Sequence, residues 1–151
     1  MANPEKSQLE LKTLDHVGIH VKNIEKVMEV WEKMVGIGPW TISEMKFTAP
    51  DGKNLAVKLA FAYSENGVEY ELIQPPEGYT QWMDYHGEGI QHWGFFVDDV
   101  NGEAAKLVER GAKIIMQIPG QWVYLDIPGA GGVIFELMQR RGMIVNQAKE
   151  H

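Results

Sequence analysis

The sequence predicts an α+β domain of two tandem β-α-β-β-β modules, whose mixed sheet curves into a cupped half-barrel with the helices outside. Three observations predict it. Leu14-Asp15-His16-Val17-Gly18-Ile19-His20-Val21 is echoed by Ile90-Gln91-His92-Trp93-Gly94-Phe95-Phe96-Val97. Gly67-Val68-Glu69-Tyr70-Glu71-Leu72-Ile73-Gln74 is echoed, in the same order, by Gly132-Val133-Ile134-Phe135-Glu136-Leu137-Met138-Gln139. Between the phrases of each half run one segment of helical period and two of strand period. A repeat of this kind dictates architecture, because each copy folds as one supersecondary unit.

Each element has a local reason. Leu14 to Val21 alternates and is β-branched, hence a strand. Asn23 is a helix N-cap residue, and Ile24, Val27, Met28, Trp31 and Met34 or Val35 form one buried stripe before Gly36-Ile37-Gly38-Pro39 stops the helix. Trp40 to Phe47, Leu55 to Tyr63 and Val68 to Gln74 read as strands, the last two joined through Asn66-Gly67, a hairpin signal. Pro75-Pro76-Glu77-Gly78 is a linker, and Tyr79 to Tyr85 reads as a short helix. In the second half Gln91 to Val97 is a strand. A helix from about Asn101 to Arg110 turns Ala104, Leu107 and Val108 inward and ends on Gly111. Lys113 to Met116, Gln121 to Asp126 and Val133 to Gln139 complete the module. Module one thus spans about 12–74, module two about 90–139, and 140–151 is a polar tail of one single domain.

Composition narrows the function. The hydrophobic content of 44% suits a globular core, and 151 residues suit one domain. A net charge of −7 without a basic run argues against nucleic acid, whose phosphates need clustered Lys and Arg. No Cys is present, which removes disulfides and thiolate chemistry. No apolar run approaches spanning length, and Met1-Ala2-Asn3-Pro4-Glu5-Lys6 lacks a signal-peptide core. The expectation is a soluble cytoplasmic protein without nucleic-acid or membrane partners.

Strand alternation then selects side chains. Val17, Ile19 and Val21 cover the helix, and His16, Gly18 and His20 face the other way. In the repeat Trp93, Phe95 and Val97 cover the helix, opposite His92, Gly94 and Phe96. Glu69, Glu71 and Ile73, with Ile134, Glu136 and Met138, lie on the face away from the helices. A His and a Glu amid apolar neighbours are costly unless paired or liganded. His16, Glu71, His92 and Glu136 are therefore candidate ligands of one divalent ion. Two imidazoles and two carboxylates suit Co, Ni, Mn, Zn or Fe without choosing among them. His20 and His86 have no repeat partner and read as a pocket or surface residue and a loop residue.

With these residues in hand, the chain resembles the vicinal oxygen chelate superfamily, which includes glyoxalase I, methylmalonyl-CoA epimerase, extradiol dioxygenases and bleomycin- or fosfomycin-resistance proteins. The resemblance covers roughly residues 12 to 140. It rests on Asp15-His16-Val17-Gly18, on Gln91-His92-Trp93-Gly94-Phe95-Phe96-Val97-Asp98-Asp99-Val100 and on Gly131-Gly132-Val133-Ile134-Phe135-Glu136-Leu137. It implies that His16, Glu71, His92 and Glu136 occupy the four ligand positions. The epimerase branch looks nearest, with two departures. Leu125-Asp126-Ile127-Pro128-Gly129 stands where epimerases commonly carry His-Pro-Lys, and Lys58 stands where they carry a second catalytic Glu.

The chemistry so implied is epimerisation or racemisation at the carbon α to a carbonyl, through a metal-stabilised enolate. Glu136 is the first candidate for the base and Lys58 for the group on the opposite face, with Glu44 a weaker substitute and Glu69, on the Glu71 face, a candidate to support the ligands from behind. Trp40, Trp82, Trp93, Trp122, Tyr79, Tyr85, Tyr124 and eight Met suggest an aromatic pocket. An aryl ketone such as an isoflavanone is then as good a substrate as a 2-methyl acyl-CoA thioester. A glyoxalase I-type lactoylglutathione lyase and a non-enzymatic resistance protein that sequesters its ligand are the competing functions. Exposed sheet edges favour a homodimer.

Overall fold

A computed structural model describes residues 9–49, 51–77 and 87–141. Among them are eight strands and two helices: β1 (His16–His20), α1 (Ile24–Val35), β2 (Thr41–Thr48), β3 (Asn54–Tyr63), β4 (Glu69–Gln74), β5 (Gly89–Val97), α2 (Val100–Glu109), β6 (Lys113–Ile118), β7 (Trp122–Asp126) and β8 (Ile134–Gln139). The α+β class and the twice-repeated β-α-β-β-β order are those the sequence predicts. The short helix expected at Tyr79 to Tyr85 and the polar tail beyond residue 141 lie outside the described residues.

The chain forms two compact units, Asp15–Gly94 and the described residues of Met1–Leu14 with Phe95–His151. In the first the strand order is β2-β3-β4-β1-β5. β1 is parallel to β4 and antiparallel to β5, and β3 is antiparallel to both β2 and β4. In the second β8, β7 and β6 follow one another, all antiparallel. β5 begins in the first unit and ends in the second.

α1 starts where Asn23 Oδ1 accepts from the Lys26 N–H at 3.0 Å, and stops at Gly36, whose φ of 71° is left-handed. Ile24, Val27, Met28 and Trp31 pack with Ile19, Val21, Ala60 and Leu72. The stripe ends there: Met34 and Val35 are exposed, because the chain folds back at once, with Ile37 N–H donating to the Trp31 carbonyl. In the second unit α2 covers Phe95, Val97, Val123, Leu125 and Leu137 through Val100, Ala104 and Leu107. Val108, expected inward, is exposed. Ala112 closes that end of the core instead, its N–H donating to the Leu107 carbonyl.

The repeated closing glutamine has a structural task in each unit. Gln74 Oε1 accepts from the Ile24 N–H at 2.9 Å, and Gln139 Oε1 from the Val100 N–H, also at 2.9 Å. Each satisfies a first-turn N–H that the helix itself leaves unpartnered. The last residue of the fourth strand thus fixes where its module's helix begins.

Candidate metal centre

The hairpin at Ser64–Gly67 sets the register on which the site depends. Ser64 N–H donates to the Val68 carbonyl at 2.8 Å, and Gly67 takes the positive φ of 86° that the turn needs. Tyr63 is thereby opposite Glu69, Phe61 opposite Glu71 and Leu59 opposite Ile73. Across β4 and β1, Glu69 is beside His16, Glu71 beside Gly18 and Ile73 beside His20. On β5, Gly94 is opposite His16 and His92 opposite Gly18. Side chains paired in this way share a face. His16, Glu69, Glu71, His92 and the buried His20 therefore lie together on the face away from α1.

The two His-x-Gly phrases interlock. Each imidazole lies over the glycine of the other phrase. A Cβ built on Gly94 would stand 1.9 Å from His16 Cε1, and one on Gly18 would stand 1.9 Å from His92 Cε1. No side chain can stand opposite either histidine without displacing its ring. The rings meet edge to face, with centroids 5.1 Å apart and planes at 82°.

Hydrogen bonds settle which nitrogens face each other. His16 Nδ1 is 3.0 Å from Asp15 Oδ2, and His92 Nδ1 is 2.5 Å from Gln91 Oε1. Each Nδ1 thus faces an oxygen acceptor, which favours the hydrogen on Nδ1 and leaves Nε2 as the ligand atom. The two Nε2 atoms are 3.0 Å apart. Two Nε2 lone pairs at that distance in a buried site repel unless a proton or a metal ion lies between them. Two nitrogens each about 2.1 Å from one ion, at right angles, are about 3.0 Å apart. Glu71 Oε1 is 3.6 Å from His92 Nε2, and the ligand atoms of His16, Glu71 and His92 all lie within 4.8 Å of one another. The donor set and its spacing fit a divalent ion.

Glu69 and Tyr63 flank this group. Burial holds the Glu69 carboxyl above the usual carboxylate range, and the nearby Glu71 adds to this. The Tyr63 hydroxyl donates to Glu69 and opposes the shift. The same bond, with burial behind it, pushes the Tyr63 phenol up to about 12.

Of the residues predicted from sequence, the first unit brings together His16, Glu71 and His92. Glu136 belongs to the other unit, where it is buried on β8 opposite Tyr124. Lys58 is a correction. It pairs with Gln74 and Glu44, three residues out of phase with the Phe61–Glu71 pair, and so lies on the α1 face. Its Nζ is ion-paired with Glu25 of α1. Glu44 shares that wrong face and is exposed. The register puts Leu59 and Phe61, not Lys58, on the histidine face.

The aromatic pocket is also reduced. Trp40 packs on Trp31 in the α1 core, and Trp93 pairs with Val17 on the helix side. Trp122 and Tyr124, centroids 4.9 Å apart, share a face with Glu136 in the second unit. Trp82, Tyr79, Tyr85 and His86 lie outside the described residues.

Sequence reasoning missed Asp15, Gln91, Gly18 and Gly94 as parts of the site. The signal was present: both phrases read acceptor-His-x-Gly.

The chain matches the family model of the Glyoxalase/Bleomycin resistance protein/Dioxygenase superfamily over residues 15–124. It is 30% identical over 135 residues to an uncharacterized protein, YwbC, of Bacillus subtilis (strain 168), covering 85% of this chain and 98% of that one. Its fold is similar to methylmalonyl-CoA epimerase from Mycobacterium tuberculosis, with a TM-score of 0.63 at 18% identity over 95% and 97% of the two chains. It is also similar to a Q60A variant of methylmalonyl-CoA epimerase from Streptomyces coelicolor in complex with 2-nitronate-propionyl-CoA. There the TM-score is 0.61 at 20% identity, over 88% and 100% of the two chains.

Proposed function

The chain belongs to the Glyoxalase/Bleomycin resistance protein/Dioxygenase superfamily, and on that footing we propose that it is a metal-dependent epimerase or racemase acting at a carbon α to a carbonyl. The observation that carries the proposal is the pair of imidazole Nε2 atoms 3.0 Å apart, both Nδ1 atoms being engaged by acceptors. His16, His92 and Glu71 would hold the ion. Glu136 is proposed as fourth ligand and proton acceptor on the repeat alone, as the counterpart of Glu71. A divalent cation held there would supply Lewis-acid polarisation of a carbonyl oxygen, and would favour the negative charge that develops as an α-proton leaves.

The chain's own residues supply the rest. Epimerisation also needs a second group, one that returns a proton to the opposite face of the substrate. With Lys58 on the other face, Glu69 takes that role. It stands beside His16 on the histidine face, and its carboxylate is oriented by the Tyr63 hydroxyl. Leu59, Val57 and Ile73 are buried on the same face and keep water from that side of the group. The substrate class is a small carbonyl compound, either a 2-methyl acyl-CoA thioester or an aryl ketone such as an isoflavanone. The acyl-CoA reading draws on the ligand of the Streptomyces coelicolor neighbour.

The test is deuterium uptake in D₂O, followed by NMR, with Co²⁺ or Ni²⁺ added. Methylmalonyl-CoA, one enantiomer of an isoflavanone and a glutathione hemithioacetal are the substrates, with His92→Ala as control. Metal-dependent exchange at the α-carbon of either of the first two, lost in the control, supports the proposal and selects the substrate class. Turnover of the hemithioacetal alone replaces it with the lactoylglutathione lyase reading. No metal binding and no exchange leaves a ligand-sequestering protein.

A further inference from the structure

β5 carries one irregularity against β1. Gly18 pairs with His92, but the next residue, Ile19, pairs with Ile90, so Gln91 has no cross-strand partner. A β-bulge of this kind sets two residues opposite one and re-aims a side chain. Without it, Gln91 and His92 would point to opposite faces, as neighbours in a strand do. With it, the Gln91 amide reaches the ring of its own neighbour: Oε1 is 2.5 Å from His92 Nδ1. Both side chains are buried, Gln91 3% exposed and His92 0%. A buried amide is costly unless its hydrogen bonds are made, and a bulge gives up ladder bonds.

We propose that Gln91 is a positioning residue for His92, and that the β5 bulge serves to seat it: the amide oxygen holds the hydrogen on Nδ1 and so aims the Nε2 lone pair at His16 and Glu71. The inference rests on the metal-binding reading of this site. Asp15 does the same for His16 without a bulge, because it precedes the first residue of β1. The two halves thus reach one geometry with different charge. An anionic acceptor stands behind His16 and a neutral one behind His92. Partners of this kind fix tautomer and ring orientation in metal-ligating histidines, and losing one typically costs 10–100-fold in metal affinity.

The test has two readouts. Long-range ¹H–¹⁵N NMR of the metal-free protein reports the tautomer of His92, and equilibrium titration with Co²⁺ reports affinity. Gln91→Met removes the acceptor at similar volume, and Gln91→Asn withdraws it by one methylene while staying polar. Gln91→Glu restores an acceptor of full length. Expected are an Nδ1–H tautomer for His92 in the wild type and in Gln91→Glu. The Met and Asn variants should shift toward Nε2–H and bind Co²⁺ about 10–100-fold more weakly. Should Gln91→Met fail to fold, Gln91→Asn carries the comparison. An unchanged His92 tautomer in the Met or Asn variant overturns the proposal. A wild type that binds no Co²⁺ overturns the metal-binding reading instead, while the tautomer measurement still decides whether Gln91 sets the ring.

Discussion

Gly94→Ala is the substitution that probes the site most directly without touching a ligand. The new methyl would stand 1.9 Å from His16 Cε1, where ordinary contact begins near 3.4 Å, so the ring must retreat by about 1.5 Å. The ring cannot do so by flexing. Imidazole rotates about two bonds only, and its Nδ1 is held by Asp15. Overpacking of this sort costs roughly 1–3 kcal/mol of stability. A displacement of more than about 1 Å is beyond what a functional constellation tolerates, and losses on the order of 100-fold follow. The assay is Co²⁺ affinity by competition with a chromophoric chelator, paired with urea unfolding. The decisive comparison is a double-mutant cycle with His16→Ala. Once the ring is gone the methyl has nothing to strike, so adding Gly94→Ala to His16→Ala should change stability by less than about 0.5 kcal/mol. If Gly94→Ala alone binds Co²⁺ as the wild type does, or if its cost persists in the His16→Ala background, the interlocked arrangement of the two phrases is wrong.

Lys58→Met should leave Co²⁺ affinity and α-proton exchange within about twofold of wild type. Its partner is Glu25 on α1, and an exposed ion pair contributes little, about 0–1 kcal/mol. A large loss of exchange would return Lys58 to the catalytic group. Tyr63 should titrate late. Its folded pKa of about 12 lies above the ordinary 10, so the stabilisation from the Glu69 bond is complete below pH 10 and fades as pH rises toward 12. Phenolate absorbance should show one tyrosine moving back toward 10 in Glu69→Gln, and no such movement would dissolve the Tyr63–Glu69 pair. Leu72→Ala, at a fully buried position in the α1 core, should cost about 2–5 kcal/mol in urea unfolding, and a cost below 1 kcal/mol would contradict that packing.

Much of this was written in the chain. Period-two alternation placed His16, His92 and Glu71 on the face away from the helix, because an antiparallel or parallel strand that covers a helix has only two sides to offer. The Asn23 cap and the Gly36 stop are local signals, and both occur where expected. The Lys58 error came from β3, whose residues Leu55 to Ala60 fit the sheet in either phase. Apolar side chains on both of its faces hide which one covers α1. The turn held the answer. With Tyr63 opposite Glu69, each step back along β3 is a step forward along β4, and Lys58 meets Gln74 on the α1 face.

The sequence by itself determined the element order, the repeat and the identity of three side chains that can share an ion. Only the tertiary structure decided what surrounds them. That His16 rests on Gly94 and His92 on Gly18 depends on β1 and β5 meeting in one register, although 76 residues separate the two histidines. That Gln91 turns to the same face as His92 depends on a bulge defined only against the partner strand. Local patterning fixes which face a side chain takes within its own strand. It carries no information about which residue of another strand stands opposite, and that pairing gives each imidazole its glycine and turns Gln91 to the ring it holds.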